Sequence, residues 1–206
     1  MNIKATRLAA LAFTVGLMSA PVSAAPVLYT DQASFNTAVG ASLEIENFDD
    51  EAGAGSPLAV FNTELTQVSS DANQIFAYEA FNGGVGIGIQ DSSAWEATFS
   101  FQSDIDAFGL LVHDLFENVP GQITFQTSAG ENGVLFDPIT TLADGNNQYL
   151  GLTTNLAFSS ITLNVSGVPG DGGLLDDVGY RVADIPLPGT LALLALGAIT
   201  LRRRLM

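Results

Sequence analysis

Residues 94–101 read AWEATFSF. Trp95, Ala97, Phe99 and Phe101 alternate with Glu96, Thr98 and Ser100, a period of two that puts the large apolar side chains on one face. A helix would scatter the same residues around its axis, so the segment is a half-buried β-strand. Runs of similar length lie on both sides: SLEIENF (42–48), QIFAYEAF (74–81), VGIGIQ (85–90), AFGLLVHDLF (107–116), GQITFQT (121–127), QYLGLTT (148–154) and SITLNVSG (160–167). Each alternates or is rich in β-branched and aromatic residues. Between them stand turn clusters: DDEAGAGSP, NGG, NVPGQ, GENG, ADGNN and GVPGDGG.

PVLYT (26–30) opens this region, and DQASFNTAVG (31–40) follows as one short helix. Phe35, Ala38 and Val39 share a helical face, Asp31 stands at its start and Gly40 at its end. The expected fold is therefore all-β: an antiparallel β-sandwich or jelly roll with one short N-terminal helix.

The two ends of the 206-residue chain have a different character. Lys4 and Arg7 precede an apolar run, LAALAFTVGLM (8–18), and then PVSAAPV, the arrangement of a secretory signal peptide. Val22 and Ala24 occupy the two small positions before a cut after Ala24. At the other end GTLALLALGAITL (189–201) runs straight into Arg202, Arg203 and Arg204. The apolar run from Leu187 to Leu201 would reach roughly 22 Å as a helix, short of the ~30 Å hydrocarbon core. Its whole circumference is apolar, which suits a membrane better than a globular surface. The arginines would stay on the cytoplasmic side. The expected division is a signal peptide at 1–24, a β-sandwich at 25–184 and a membrane-directed tail at 185–206.

The body between these ends contains no cysteine, so neither disulfides nor thiol chemistry support it. All 22 carboxylates lie there against one basic residue, Arg181, a formal charge of −21. Such a body repels nucleic acid and anionic surfaces and attracts divalent cations. Solubility in a salty exterior accounts for the same balance.

The tail, with Pro186, Leu187, Pro188 and Gly189, then the apolar run and the arginine cluster, resembles the PEP-CTERM sorting signal of exported bacterial proteins, in a Pro-Leu-Pro variant that lacks the namesake Glu. The body resembles those carried by that family in LYTDQASFNTAVG and EIENFDD near its start. QYLGLTTNLAFSSITLNVSG and DGGLLDDVGY resemble the family's closing strands. The resemblance implies an exported protein with an inner-membrane intermediate. Signal peptidase and an exosortase would process it, and it would reside at the cell surface or outside the cell, associated with exopolysaccharide or biofilm matrix. The alternative for the tail is a permanent single-span anchor.

Three constellations bear on chemistry. Glu44 and Glu46, in EIENFDD, fall on one strand face about 6.6 Å apart. That suits the paired carboxylates of a glycoside hydrolase, and the pattern loosely resembles the E-x-D-x-x-E strand of jelly-roll glucanases. It departs at Glu46 and Asp49, and a solvated strand face running into an acidic loop is the simpler reading. His113 is the lone histidine and no nucleophile-elbow motif accompanies it, so the protein is expected to be non-enzymatic.

In LLDDVGYRV (174–182), period two puts Asp176 on the face of Leu174, Val178, Tyr180 and Val182, with Arg181 opposite. A carboxylate aimed at the core needs backbone N–H groups or a cation. Asp176, Asp171, Glu46 and Asp49 are accordingly candidate ligands for calcium, which takes six to eight oxygens. A hydrogen bond from the GDGG turn to Asp176 is the alternative. Finally, Trp95 and Tyr78, with Phe81, would stack on sugar rings if exposed and pack into the core if not.

Overall fold

The computed structural model describes residues 24–49, 64–69, 75–79, 85–89, 94–116, 120–138, 140–143, 145–166 and 173–184. They form β1 (Val27–Tyr29), α1 (Gln32–Val39), β2 (Glu44–Glu46), β3 (Leu65–Ser69), β4 (Ile75–Glu79), β5 (Val85–Ile89), β6 (Ala94–His113), β7 (Gln122–Thr127), β8 (Asn132–Phe136), β9 (Asn147–Ser166) and β10 (Gly173–Val182). The expected tail at 185–206 lies outside the described residues, as does the expected signal peptide apart from Ala24. Among the described residues no helix is long and apolar enough to cross a membrane.

β6 and β9 organise the fold. The sequence presents each as two short strands, whereas the structure joins them into single strands of 20 residues. They pair antiparallel along both halves, from Ala94↔Ser166 to Ser100↔Ser160 and again from Ala107↔Thr153 to His113↔Asn147. Between the halves both strands turn a corner. β6 carries the extra residues between Ser100 and Ile105, and β9 carries them between Ile105 and Ala107. The ring centroids of Phe99 and Phe108 consequently lie 5.1 Å apart, where nine residues of straight strand would span about 30 Å. The pair is doubled over on itself.

Each half seeds one layer of a sandwich. The first layer runs β3–β6–β9–β7–β8 through the early half of β6 and the late half of β9. The second is built on the other halves: β10 pairs β6, β5 and β2 pair different stretches of β10, β4 pairs β5, and β1 pairs β9. Phe99, Leu163 and Phe125 from the first layer meet Phe108, Leu150 and Tyr180 from the second in one buried core. β3 and β8 are short strands that the sequence pattern does not announce.

The corner breaks the ladder, so its freed N–H groups need other acceptors. Gln102 N donates to Glu64 O at 2.7 Å and Ser103 N to Glu64 Oε2 at 3.2 Å. On β9, Leu156 N donates to Thr154 Oγ1 at 3.0 Å and Ser159 N to Ser128 Oγ at 2.9 Å.

The helix α1 forms where the sequence places it. The Asp31 carboxylate accepts from Ser34 N at 2.8 Å, and this N-cap bond lowers the Asp31 pKa. Gly40, at φ 79°, ends the helix. Phe35 and Val39 turn onto the outer side of the second layer. Their floor is a row of three glycines, Gly179, Gly109 and Gly151, side by side on β10, β6 and β9. A Cβ at Gly151 would lie 2.8 Å from the Phe35 ring, and one at Gly109 would lie 2.3 Å from the Tyr149 hydroxyl. Phe35 is fully buried in this notch, edge-on to Tyr29 at 5.6 Å and tilted against Tyr149 at 5.5 Å.

The notch predicts coupled energetics. Gly151→Ala should cost about 1–3 kcal/mol by overpacking, and Phe35→Ala about 3–5 kcal/mol by cavity formation. In the Phe35→Ala background the Gly151→Ala cost should shrink to less than half in urea titrations, because only the Tyr149 ring, 3.2 Å from the added methyl, then remains against it. Strict additivity would show that the ring does not rest on the glycines.

Candidate functional site

The acidic stretch of β10 contains a β-bulge. Asp176 pairs with Leu111 and Gly179 with Gly109, so Asp177 and Val178 oppose the single residue Leu110. Asp177 adopts φ 47°, a left-handed conformation that Asp tolerates better than most residues. The bulge shifts the parity, which corrects the reading by period two. Leu175, Val178 and Tyr180 face the core, while Asp176 stands on the other face, on the same side as Arg181. Arg181 is engaged elsewhere: Nε donates to Asp106 Oδ1 at 2.7 Å and Nη1 to Val39 O at 3.0 Å, tying the end of α1 to the sheet.

Asp176 is 8 % exposed and accepts from Asp177 N at 2.8 Å. Burial pushes its pKa up to about 6; the Asp177 and Asp49 charges add to the rise, while the Asp177 N–H and His113 oppose it. Asp49 and Asp176 are thus near enough to feel one another. Asp171 lies outside the described residues. The register sets Glu46 against Val178, on the core side, away from Asp176. Among the described residues no group of three or more His, Asp or Glu side chains is arranged to hold a metal.

The paired glutamates do share a face, since β2 sets Glu44 opposite Tyr180 and Glu46 opposite Val178. Both serve the framework. The Tyr180 hydroxyl donates to Glu44 Oε2 at 3.2 Å. Glu46, itself buried, accepts from the N–H of Phe48, a residue held at φ 56°. His113 is 1 % exposed, with Nδ1 against Asn147 Oδ1. Trp95 is 3 % exposed, on the core face of the first layer opposite Val165, so sugar stacking by Trp95 is corrected to core packing. The side chain of Tyr78 and the whole of Phe81 lie outside the described residues.

The surface that sequence reasoning missed is the outer face of the first layer. One row crosses all five strands in register: Ser69, Thr98, Thr162, Gln126 and Asn132. Beside it run Glu96, Asn164, Thr124 and Val134, and on the other side Gln67, Ser100 and Ser160. Thr98 Oγ1 and Thr162 Oγ1 are 2.8 Å apart and share a hydrogen bond. In the part of the fold that forms this layer Glu96 is the one ionisable side chain among the described strand residues. The signal was present in the sequence: the strands that alternate on their apolar side fill the other side with Ser, Thr, Asn and Gln.

No family model matches the chain, and no curated protein matches it. Solved structures similar to it include a family 29 carbohydrate-binding module variant, CBM29-2, at 13% identity, covering 72% of this chain and 99% of that one with a TM-score of 0.43. The K2 cleaved adhesin domain of Lys-gingipain is 12% identical, over 70% of this chain and all of that one, with a TM-score of 0.45. TmCBM61, solved in complex with β-1,4-galactotriose, is 16% identical over 56% of this chain and 87% of that one, with a TM-score of 0.36.

Asp176 predicts an unusual pH dependence. Its pKa is higher in the folded protein, at about 6, than in an unfolded chain, so ionisation opposes folding. The penalty is absent below about pH 4 and grows to its full value as pH rises through about 6, amounting to roughly 2–3 kcal/mol. Asp176→Asn should therefore melt higher than the parent at pH 7–8, with the difference vanishing near pH 4. Calcium bound through Asp176 would reverse the sign, making the variant the less stable protein at pH 7 in calcium but not in chelator.

Proposed function

We propose that this chain is an exported, non-enzymatic β-sandwich that binds polysaccharide at the cell surface or in the extracellular matrix. The observation that carries this reading is a broad hydroxyl- and amide-rich sheet face, almost free of charge, on a body of formal charge −21. Hydroxyls and amides both donate and accept hydrogen bonds, as sugar hydroxyls do. Glu46 is buried and accepts from the Phe48 N–H, which withdraws one of the two carboxylates and supports a binding role over hydrolysis. A general acid and a nucleophile must meet substrate rather than support a neighbouring loop.

The route is proposed from the two ends of the sequence. Signal peptidase would cut after Ala24, the inner membrane would hold the tail transiently, and an exosortase would cut near Pro186–Pro188. Intact mass of the protein from culture medium and envelope fractions should show loss of 1–24 and of the tail near 186–188. A mass that retains the arginine cluster in the mature protein would replace sorting with permanent anchoring. On soluble glucans the protein should show no turnover. Activity abolished by Glu44→Gln would instead make it a hydrolase.

A further inference from the structure

We propose that the outer face of the first layer takes a linear, uncharged polysaccharide laid across the strands, bound by hydrogen bonds without an aromatic platform. This rests on the polysaccharide-binding reading above and adds the surface, the charge class of the ligand and its direction. The row from Ser69 to Asn132 offers one hydroxyl or amide per strand. With strands spaced ~4.8 Å apart, it spans about 19 Å in four steps. A polymer running along that row meets a hydrogen-bonding side chain at every step, with one of the Thr98 and Thr162 hydroxyl protons committed to the bond between them. A polymer running along a strand meets outward side chains only at every second residue, with a longer repeat.

Charge selects the ligand class. Among the described strand residues Glu96 is the one ionisable group on the face, and no described strand of this layer carries Lys or Arg. An acidic polymer would find no cation to pair with and would be repelled by the rest of the body. A cationic polymer would be drawn off the face towards the carboxylates at the corner, among them Glu64, Asp104 and Glu131. A second copy of the chain is a poor occupant. Sheets that pack face to face interdigitate apolar side chains, and among the described residues Val134 is the one large exposed hydrophobic on this face. No outward position of these strands is aromatic among the described residues. Binding that uses neither charge nor ion release is insensitive to salt.

The test is co-sedimentation of the full-length chain, kept in mild detergent, with insoluble cellulose, mannan and galactan as neutral probes and with polygalacturonate-coupled resin as an acidic one. The variant combines Thr162→Val, Gln126→Ala and Asn164→Ala, which remove hydrogen-bonding groups from the face without adding bulk. Asn36→Ala, on the exposed side of α1, is the control. Circular dichroism and melting temperature establish that each variant is folded.

The expected result is binding of at least one neutral probe, unchanged from low to molar salt, weakened at least tenfold in the folded triple variant and unaffected in the control. Should the triple variant bind as the parent does, the face is wrong while polysaccharide binding stands. A preference for polygalacturonate, or binding that salt abolishes, overturns the uncharged-ligand assignment. If the parent binds none of the four, both the face and the polysaccharide-binding role fall.

Discussion

Strands β6 and β9 stay paired to each other while passing from one layer of the sandwich to the other, and nearly every other feature follows from that constraint. A continuous pair can serve both layers only by turning a corner. The corner is made by extra residues on each strand in turn, with their N–H groups taken up by Glu64, Ser128 and Thr154. Doubling over brings Phe99 and Phe101 against Phe108, and Phe101 against Tyr180 of β10, with ring centroids 5.1–6.3 Å apart. The apolar sides are thereby committed to one shared core, and two outer faces are left with different occupants. The second layer is covered by α1 on its glycine notch. The first is covered by no described element.

The sequence is informative where its alternation is regular. The pattern of residues 94–101 is visible in the structure residue by residue, as are α1 with Asp31 and Gly40 at its ends and the shared face of Glu44 and Glu46. What it hides are departures from period two. QSDID (102–106) reads as a break because its polar residues serve the corner, not because the strand stops. Asp177, in left-handed conformation, shifts the parity of β10 and sends Asp176 away from the core face, an event that a two-residue period cannot represent. Trp95 is an instructive case. The alternation that identifies its strand also assigns it to the buried side, so its size favoured packing over ligand contact from the start. The polar face was legible by the same logic, in the residues that the apolar pattern leaves over.

The carboxylates of the described residues are not evenly spread. Glu64, Asp104, Asp106 and Glu131 gather about the corner, and Asp49, Asp176 and Asp177 lie about the bulge, whereas the first layer carries Glu96 alone among its described strand residues. Arg181, the one cation of the body, is spent holding Asp106 and the end of α1 rather than balancing this charge. Mutual repulsion is therefore concentrated where loops can accommodate solvent and counter-ions. The flat face is left electrostatically quiet, a distribution that favours short-range contacts over long-range attraction.

The position of β10 has a consequence for how the chain matures. It is the last of the described strands, yet it lies inside the second layer, between β6 and the strands β5 and β2. Glu44 waits for Tyr180, and Ala94 for Ser166, before either finds its neighbour. Contacts so distant along the chain close slowly. A nascent polypeptide that has emerged only as far as β9 lacks a middle strand of its second layer, so it cannot complete that layer ahead of its own translation. Completion of the second layer is thereby deferred to the end of synthesis, an internal timer on compaction set by strand order alone.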